Sequence, residues 1–355
     1  MSDDRIFQQK RLSRSLKCLV LVGTLLLPQM AAADVADFYR KTNITIGVGS
    51  GPGGGYDAYA RLLARHYGRF IPGNPTVIVQ NVPGAGGLKG ANNLFNLAPK
   101  DGSNIAILQN TLTLNQIAKS NSVAFDMMKF NWLGSMSTTS TICAFTKNAQ
   151  VEKASDIFAK DVIIGTSSGS TAMIPAILNS LAKTRFQGVK GYDSTNNVLL
   201  AMERGEVHGV CGWGWDSAKV QARSYLESNA FKISLDIANA PNPDLKAMGV
   251  PFIMDLVKDG EDKSALQLIL STQVYNRPFA APPGVPVDRL EALRLAFEKT
   301  LKDGTFLSEA ARGNMDIEYM APKEIERLLT DAFKAPQSVQ ARAVEELKQA
   351  GWGGL

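Results

Sequence analysis

The chain has 355 residues, 45% of them hydrophobic and 20% charged, with a formal net charge of +5. Five basic residues (Arg5, Lys10, Arg11, Arg14 and Lys17) against two acidic ones (Asp3 and Asp4) lie in the first 33 residues, so the remainder carries only +2. A basic surface for nucleic acid is therefore not indicated, and the length suits two domains with cores of their own.

Those first 33 residues have the order of a secretion signal. A basic start precedes the uncharged run CLVLVGTLLL from Cys18 to Leu27, and Ala31, Ala32 and Ala33 offer a small-residue cleavage site before Asp34. The run falls well short of the ~20 residues that a membrane-spanning helix needs. Residues 1–33 are thus expected to be a cleaved signal peptide, leaving an exported, periplasmic chain. Cys18 lacks the small residues that would precede it at a lipoprotein cleavage site, so no lipid anchor is expected. The cysteines that remain are Cys143 and Cys211. An oxidising compartment permits their pairing, although a chain of this size does not require it.

From Ile44 onward, short β-rich runs alternate with amphipathic stretches, the pattern of a parallel sheet covered by helices. ITIGV (44–48), TVIVQ (76–80) and NIAIL (104–108) read as strands. Ala60, Leu63, Ala64 and Tyr67 recur at helical spacing between the first two, and Leu88, Ala91, Leu94 and Phe95 do so after the second. A segment rich in β-formers, WLGSMSTTSTICAFTKN (132–148), follows without a helix. The alternation then restarts with VIIGT (162–166), a helix from about Thr171 to Lys183, a strand near Val189, a helix from about Asn196 to Arg204 and VHGVCGW (207–213). Two such units predict an α/β protein of two lobes, each a mostly parallel sheet flanked by helices.

The last hundred residues, from about Pro251, read as mainly helical (Val287 to Leu301, Pro322 to Phe333, Val339 to Ala350), with a short extended piece near Gln273 to Tyr275. Too strand-poor to stand alone, this tail is expected to return to the first lobe. The expected division is therefore 42–140 with 252–355 as lobe 1 and 141–251 as lobe 2.

The chemistry is expected where strands end. GSGPGGGYDAYARLL (49–63) follows the first strand, and glycines between a strand and a helix let a ligand approach the free N–H groups of the helix start. A P-loop would have Lys and then Ser or Thr after its last glycine, where this chain has Tyr56 and Asp57. A dinucleotide fold would end its second strand near an acidic residue, where this chain reads TVIVQN. NVPGAGGLKGANNL (81–94) follows the second strand with another glycine-rich loop, and Asn110, Thr111 and Thr113 follow the third. In the second unit the hydroxyl-rich run from Thr166 through Ser167, Ser168, Gly169 and Ser170 to Thr171 joins strand to helix. Neutral donors of this kind suit a carboxylate. Ser170 has a plain N-capping alternative, and so does Asp57, whose charge favours a helix start.

The loop ending GGGYD followed by AYARLLA, the VPGAGG loop, PKDGSNIAIL (99–108), GYDSTNNVLLAMERGEV (191–207) and RPFAAPPGVP (277–286) resemble the substrate-binding proteins of tripartite tricarboxylate transporters, the Bug-type periplasmic receptors. The resemblance spans almost the whole exported chain in order. It implies a periplasmic-binding-protein (Venus-flytrap) fold with a small-molecule carboxylate closed between the lobes, and membrane subunits of a tripartite transporter as partners. The residues it singles out are Gly53, Gly54, Gly55, Tyr56, Asp57, Gly84, Ala85, Gly86, Gly87, Thr111, Ser167, Ser168, Ser170 and Thr171. Two departures bear on the ligand. Tyr56 stands where a small hydroxyl residue often precedes the loop aspartate, and Tyr192 is followed by Asp193, an extra acid. Trp213, with Trp215, can add an apolar wall, with core packing the alternative for at least one of them.

Nothing in the sequence calls for a cofactor or a metal. His66 lies in a helix and His208 in a strand of different units, neither cysteine has zinc-ligand spacing, and no G-x-S-x-G elbow is present. A non-enzymatic receptor acting as a monomer is the reading, with a secreted esterase-like or cofactor-dependent α/β enzyme, or a sensory receptor, as alternatives.

Overall fold

The computed structural model describes residues 27–138, 140–167, 169–257 and 260–351. The basic start and most of the apolar run of the expected signal lie outside the described residues, and the expected cleavage junction falls inside helix α1 (Leu27–Lys41). In chain order there follow β1 (Ile44–Val48), α2 (Gly55–Tyr67), β2 (Val77–Asn81), α3 (Leu88–Asn96), β3 (Asn104–Ile107), α4 (Leu112–Ile117) and β4 (Asn131–Ser135). The middle of the chain forms β5 (Thr141–Thr146), α5 (Asp156–Ala159), β6 (Val162–Gly165), α6 (Ser170–Leu181), β7 (Phe186–Val189), α7 (Thr195–Glu203) and β8 (Gly209–Gly214). It continues with α8 (Trp215–Gln221), α9 (Arg223–Glu227), β9 (Phe231–Ile237) and α10 (Pro243–Ala247). The tail contains α11 (Gly260–Leu270), β10 (Pro278–Ala281), α12 (Val287–Lys302), α13 (Gly304–Arg312), α14 (Pro322–Phe333) and α15 (Gln337–Gln349). No helix among the described residues is long and apolar enough to cross a membrane.

Two five-stranded sheets result, ordered β2-β1-β3-β10-β4 and β7-β6-β8-β5-β9. In each, four strands run one way and one runs against them: β10 in the first sheet and β5 in the second. The reversed strand in each sheet directly follows a passage from the other lobe, so the β-rich segment 132–148 resolves into β4, a crossing and β5. A disulfide between Cys143 and Cys211 ties β5 to β8, at residues that face each other in the ladder.

The helices form because their apolar residues recur on one face. Tyr59, Ala60, Leu62, Leu63 and Tyr67 of α2 are all buried, packing with Leu293 and Phe297 of α12 in one core. Truncating one such leucine to alanine costs about 2–5 kcal/mol. That packing holds the first turn of α2, and the glycine loop before it, at the inter-lobe surface.

The tail departs from expectation in two ways. The segment near Gln273 to Tyr275 is a 3₁₀ turn (Ser271–Tyr275), and the extended piece is β10, three residues later, inserted between β3 and β4. Pro278 opens this strand, a position where its missing N–H is tolerated. Nor does the tail return wholly to the first sheet. α12 and α14 pack on β4, but α11 and α15 pack on each other and on α6 of the second lobe. The apolar faces Ala265/Leu266/Ile269 and Ala343/Leu347 share one core with Ile174, Ile177 and Leu178 of α6. Hydrophobic burial draws these two helices across.

Candidate functional site

A cleft of about 350 Å³ lies between the lobes, at the carboxyl ends of the parallel strands. On the first-lobe side, the turn after β1 delivers the chain into α2. The N–H groups of Gly55, Tyr56 and Asp57 open this helix and have no partner within it. A side chain at Gly55 would fall 3.0 Å from Arg277 Nη2 and closer still to Ser217 Oγ, so only glycine admits this approach.

Asp57 faces away from the cleft. Its carboxylate, 3% exposed, accepts hydrogen bonds from the Gly53 N–H (2.9 Å), Arg61 Nε (2.9 Å) and Asn81 Nδ2 (2.9 Å). Burial alone would push this carboxyl up, but the donors from Arg61, Gly53 and Asn81 bring it below its ordinary value. Asp57 and the Gly53 N–H thus brace the loop from behind.

The loop after β2 lines the cleft with Gly84, Ala85 and Gly86. Residues 84–87 all have positive φ (145°, 47°, 62° and 92°), which a glycine-rich sequence alone adopts without strain. Gly87 turns instead into a second cavity, of about 260 Å³, between β1, β3 and α3. After β3, Gln109, Asn110 and Thr111 join the cleft wall, while Thr113 is fully buried and accepts a hydrogen bond from the Tyr275 hydroxyl.

Tyr56 ties these pieces together. Its hydroxyl accepts the Asn110 N–H (3.3 Å) and lies 3.2 Å from both Asn110 Oδ1 and the Asn276 carbonyl, either of which can take its proton. Its ring lies beneath the Arg277 guanidinium, 4.3 Å from Cζ to centroid. Burial pushes the phenol up, so Tyr56 remains neutral.

The second lobe supplies the facing wall. Gly169, at φ 69°, turns the chain into α6, whose first residues Ser170 and Thr171 line the cleft. The Ser167 N–H donates to Thr171 Oγ1 (3.2 Å), and the two hydroxyls lie 2.9 Å apart. Ser168 lies outside the described residues. Asp193 and the start of α7 form the rim, with Ser194 Oγ accepting the Asn197 N–H. Trp213 lines the cleft and donates to Gln221 Oε1 (3.0 Å). Trp215 does not reach it; its ring packs under Lys219 and lines a separate groove beside Met315. Deeper in, Met173, Ile174 and Ile269 give an apolar surface beside Thr141, Thr272 and Gln273.

The cleft floor carries a cluster that the reading of the glycine loops missed. Arg277 Nη2 donates to Asp216 Oδ2 (2.6 Å) and to Ser217 Oγ (2.8 Å), and Arg277 Nη1 donates to Asn276 Oδ1 (2.9 Å). Asn276 Nδ2 donates to the same Asp216 oxygen (3.1 Å). Arg277 precedes β10 of the first sheet and Asp216 opens α8 after β8 of the second, so this buried ion pair crosses the lobes. Burial would lower the guanidinium's affinity for its proton, but the Asp216 carboxylate together with Tyr56 and Tyr59 outweighs it and holds the arginine above its ordinary value. Arg277 opens the run RPFAAPPGVP; a lone arginine at the head of an otherwise apolar strand was the available signal. Asp216 carried none, its partner being 61 residues away.

His66 is buried on α2 and pairs with Glu309 of α13, and among the described residues no group of acidic, histidine or cysteine side chains has metal-site geometry.

The fold is that of two-lobed α/β solute-binding proteins, as comparisons with known proteins show. No protein-family model and no curated protein matches the chain. Solved structures do: a TctC solute-binding protein from Polaromonas has a TM-score of 0.59 at 16% identity, over 88% of this chain and 99% of that one. The R. palustris protein Rpa4515, solved with adipate, has a TM-score of 0.66 at 16% identity, over 89% and 99% of the two chains. MatC from Rhodopseudomonas palustris, solved with bound malate, has a TM-score of 0.61 at 19% identity, over 87% and 99%. The chain thus has the fold of the TctC-type receptors that its motifs resemble.

Proposed function

We propose that this protein is a periplasmic receptor that captures a small organic carboxylate between its lobes and delivers it to the membrane subunits of a tripartite tricarboxylate-type transporter. The observation that carries the reading is the convergence of helix starts from both lobes on one cleft: α2 with its glycine loop on one side, α6 and α7 on the other. Free N–H groups and the positive ends of helix dipoles stabilise an anion without a dedicated cation. The sites Gly54 to Tyr56, Gly84 to Gly86 and Ser170 supply N–H groups, Thr111, Ser167 and Thr171 supply hydroxyls, and Trp213 a flat apolar wall.

A ligand that touches both lobes favours the closed arrangement, and that shape is what a membrane partner reads. Binding and hinge motion account for the cleft, and the protein acts as a carrier. Adipate and malate in the similar structures are consistent with the carboxylate class.

A thermal-shift screen of ligand-free protein tests the reading. A carboxylate at about 100 times its dissociation constant stabilises the native state by about 2.7 kcal/mol, a visible rise in melting temperature. Shifts with sugars or amines, and none across a broad carboxylate panel, would overturn it.

A further inference from the structure

The inter-lobe cleft of about 350 Å³ and the cavity of about 260 Å³ beside α3 share a wall. Among the described residues, Gly49 and Gln109 are the two that line both. Gly49 has no side chain, so the Gln109 side chain is the partition between the two spaces.

Two glycines mark its course. A Cβ added at Gly87, whose φ is 92°, would stand 3.1 Å from Gln109 Cγ and Cδ, so these atoms fill the notch that Gly87 leaves at the second cavity. At the other end, a Cβ added at Gly169 of the second lobe would stand 3.6 Å from Gln109 Oε1. The side chain thus runs from the second cavity toward the start of α6. It is half-buried, and its amide makes no hydrogen bond among the described residues, so packing in the notch is what holds it in place.

Behind this partition the cavity is a chamber for hydrocarbon. Val82, Ala91, Leu94, Ala106 and Leu108 line it, and no charged residue is among its described lining. A carboxylate gains nothing by entering such a space, whereas an alkyl chain gains with every methylene taken out of water.

We propose that Gln109 is a specificity-determining residue: it ends the space open to the ligand and shuts an alkyl chain out of the apolar chamber, so that compact carboxylates are selected over long-chain ones. This deepens the carboxylate-receptor reading above and rests on it.

Calorimetric titration with two series of acids tests this, straight-chain monocarboxylates and 2-alkylsuccinates, each lengthened one methylene at a time. With the unaltered protein and with Gln109→Leu, which keeps the bulk and removes the amide, affinity should stop rising as the chain grows. With Gln109→Ala, which opens the partition, each methylene that enters the chamber should add about fourfold, so the longest acids should gain tenfold or more. Adding Ala98→Leu, at another residue lining the chamber, should remove that gain. The inference falls if acids bind but all these proteins share one length profile, or if Gln109→Leu admits long chains as well as Gln109→Ala does. Circular dichroism checks that the variants fold. Should Gln109→Ala not fold, the unaltered protein decides: affinity that climbs about fourfold per methylene to the longest acid overturns the proposal, and a plateau supports it. If no acid of either series binds while sugars or amines do, the carboxylate reading falls and this inference with it.

Discussion

The Arg277–Asp216 pair gives the sharpest energetic test of the fold around the cleft. Both side chains are almost fully buried, at 4% and 1% exposure, and the bond joins opposite lobes. At an effective dielectric of about 20, unit charges about 4 Å apart attract by about 4 kcal/mol. Desolvation offsets much of that in the intact pair, but not when one partner is removed and the other remains buried. Asp216→Ala is therefore expected to destabilise the protein by about 3–5 kcal/mol. Arg277→Met with Asp216→Leu removes both charges and should return stability to within about 1–2 kcal/mol of the unaltered protein. Urea unfolding followed by circular dichroism and by tryptophan fluorescence measures all three. A cost below about 1 kcal/mol for Asp216→Ala, or a double variant as unstable as the single, would refute the buried-pair argument.

Other predictions concern the loops and the staple. Gly86→Val places a β-branched residue at φ 62° and fills the mouth between the two glycine loops; it should abolish carboxylate binding with circular dichroism unchanged, and undiminished affinity would count against this site. The Asp57 carboxyl lies below its ordinary value in the folded state, so its contribution is complete above about pH 4 and is lost as pH falls through the lower folded value. Asp57→Asn should accordingly flatten the acid limb of a stability-against-pH profile, and an unchanged limb would refute the bracing role. Replacing Cys143 and Cys211 together by alanine opens a link spanning 68 residues, which chain entropy values at about 4 kcal/mol; a urea midpoint unmoved by the change, or by reductant, would contradict it.

Most of the architecture could be read before any coordinates. β1 matches ITIGV residue for residue, α14 matches Pro322 to Phe333, and the glycine loops were placed at strand ends, because these features are local: apolar periodicity, proline and glycine punctuation, β-branched runs. Misplacements came where the pattern was weak or shared. The turn at Ser271–Tyr275 carries Val274 and Tyr275, residues that favour strands, yet tertiary burial closes it as a 3₁₀ turn. The strand FKISLDI (β9) was not singled out at all.

Within the site, the loops that bring N–H groups to a helix start were legible because glycine and hydroxyl residues have few other uses in such a run. The same reading could not tell that Asp57 and Gly53 face backward, that Gly87 serves another cavity, or that Trp213 and Trp215, two residues apart, end in different grooves. Side-chain direction depends on what packs behind each element.

What the sequence by itself determined is the repeated βαβ design, the donor-rich loops and the likeness to carboxylate receptors, all of them consequences of neighbours along the chain. Only the tertiary structure decided that Arg277 meets Asp216, that Gln273 donates to Thr141, and that α15 closes onto the second lobe. Each of these joins residues separated by 61 to more than 100 positions. Their pairing is set by the burial of apolar faces and the satisfaction of buried polar groups, which no local pattern encodes.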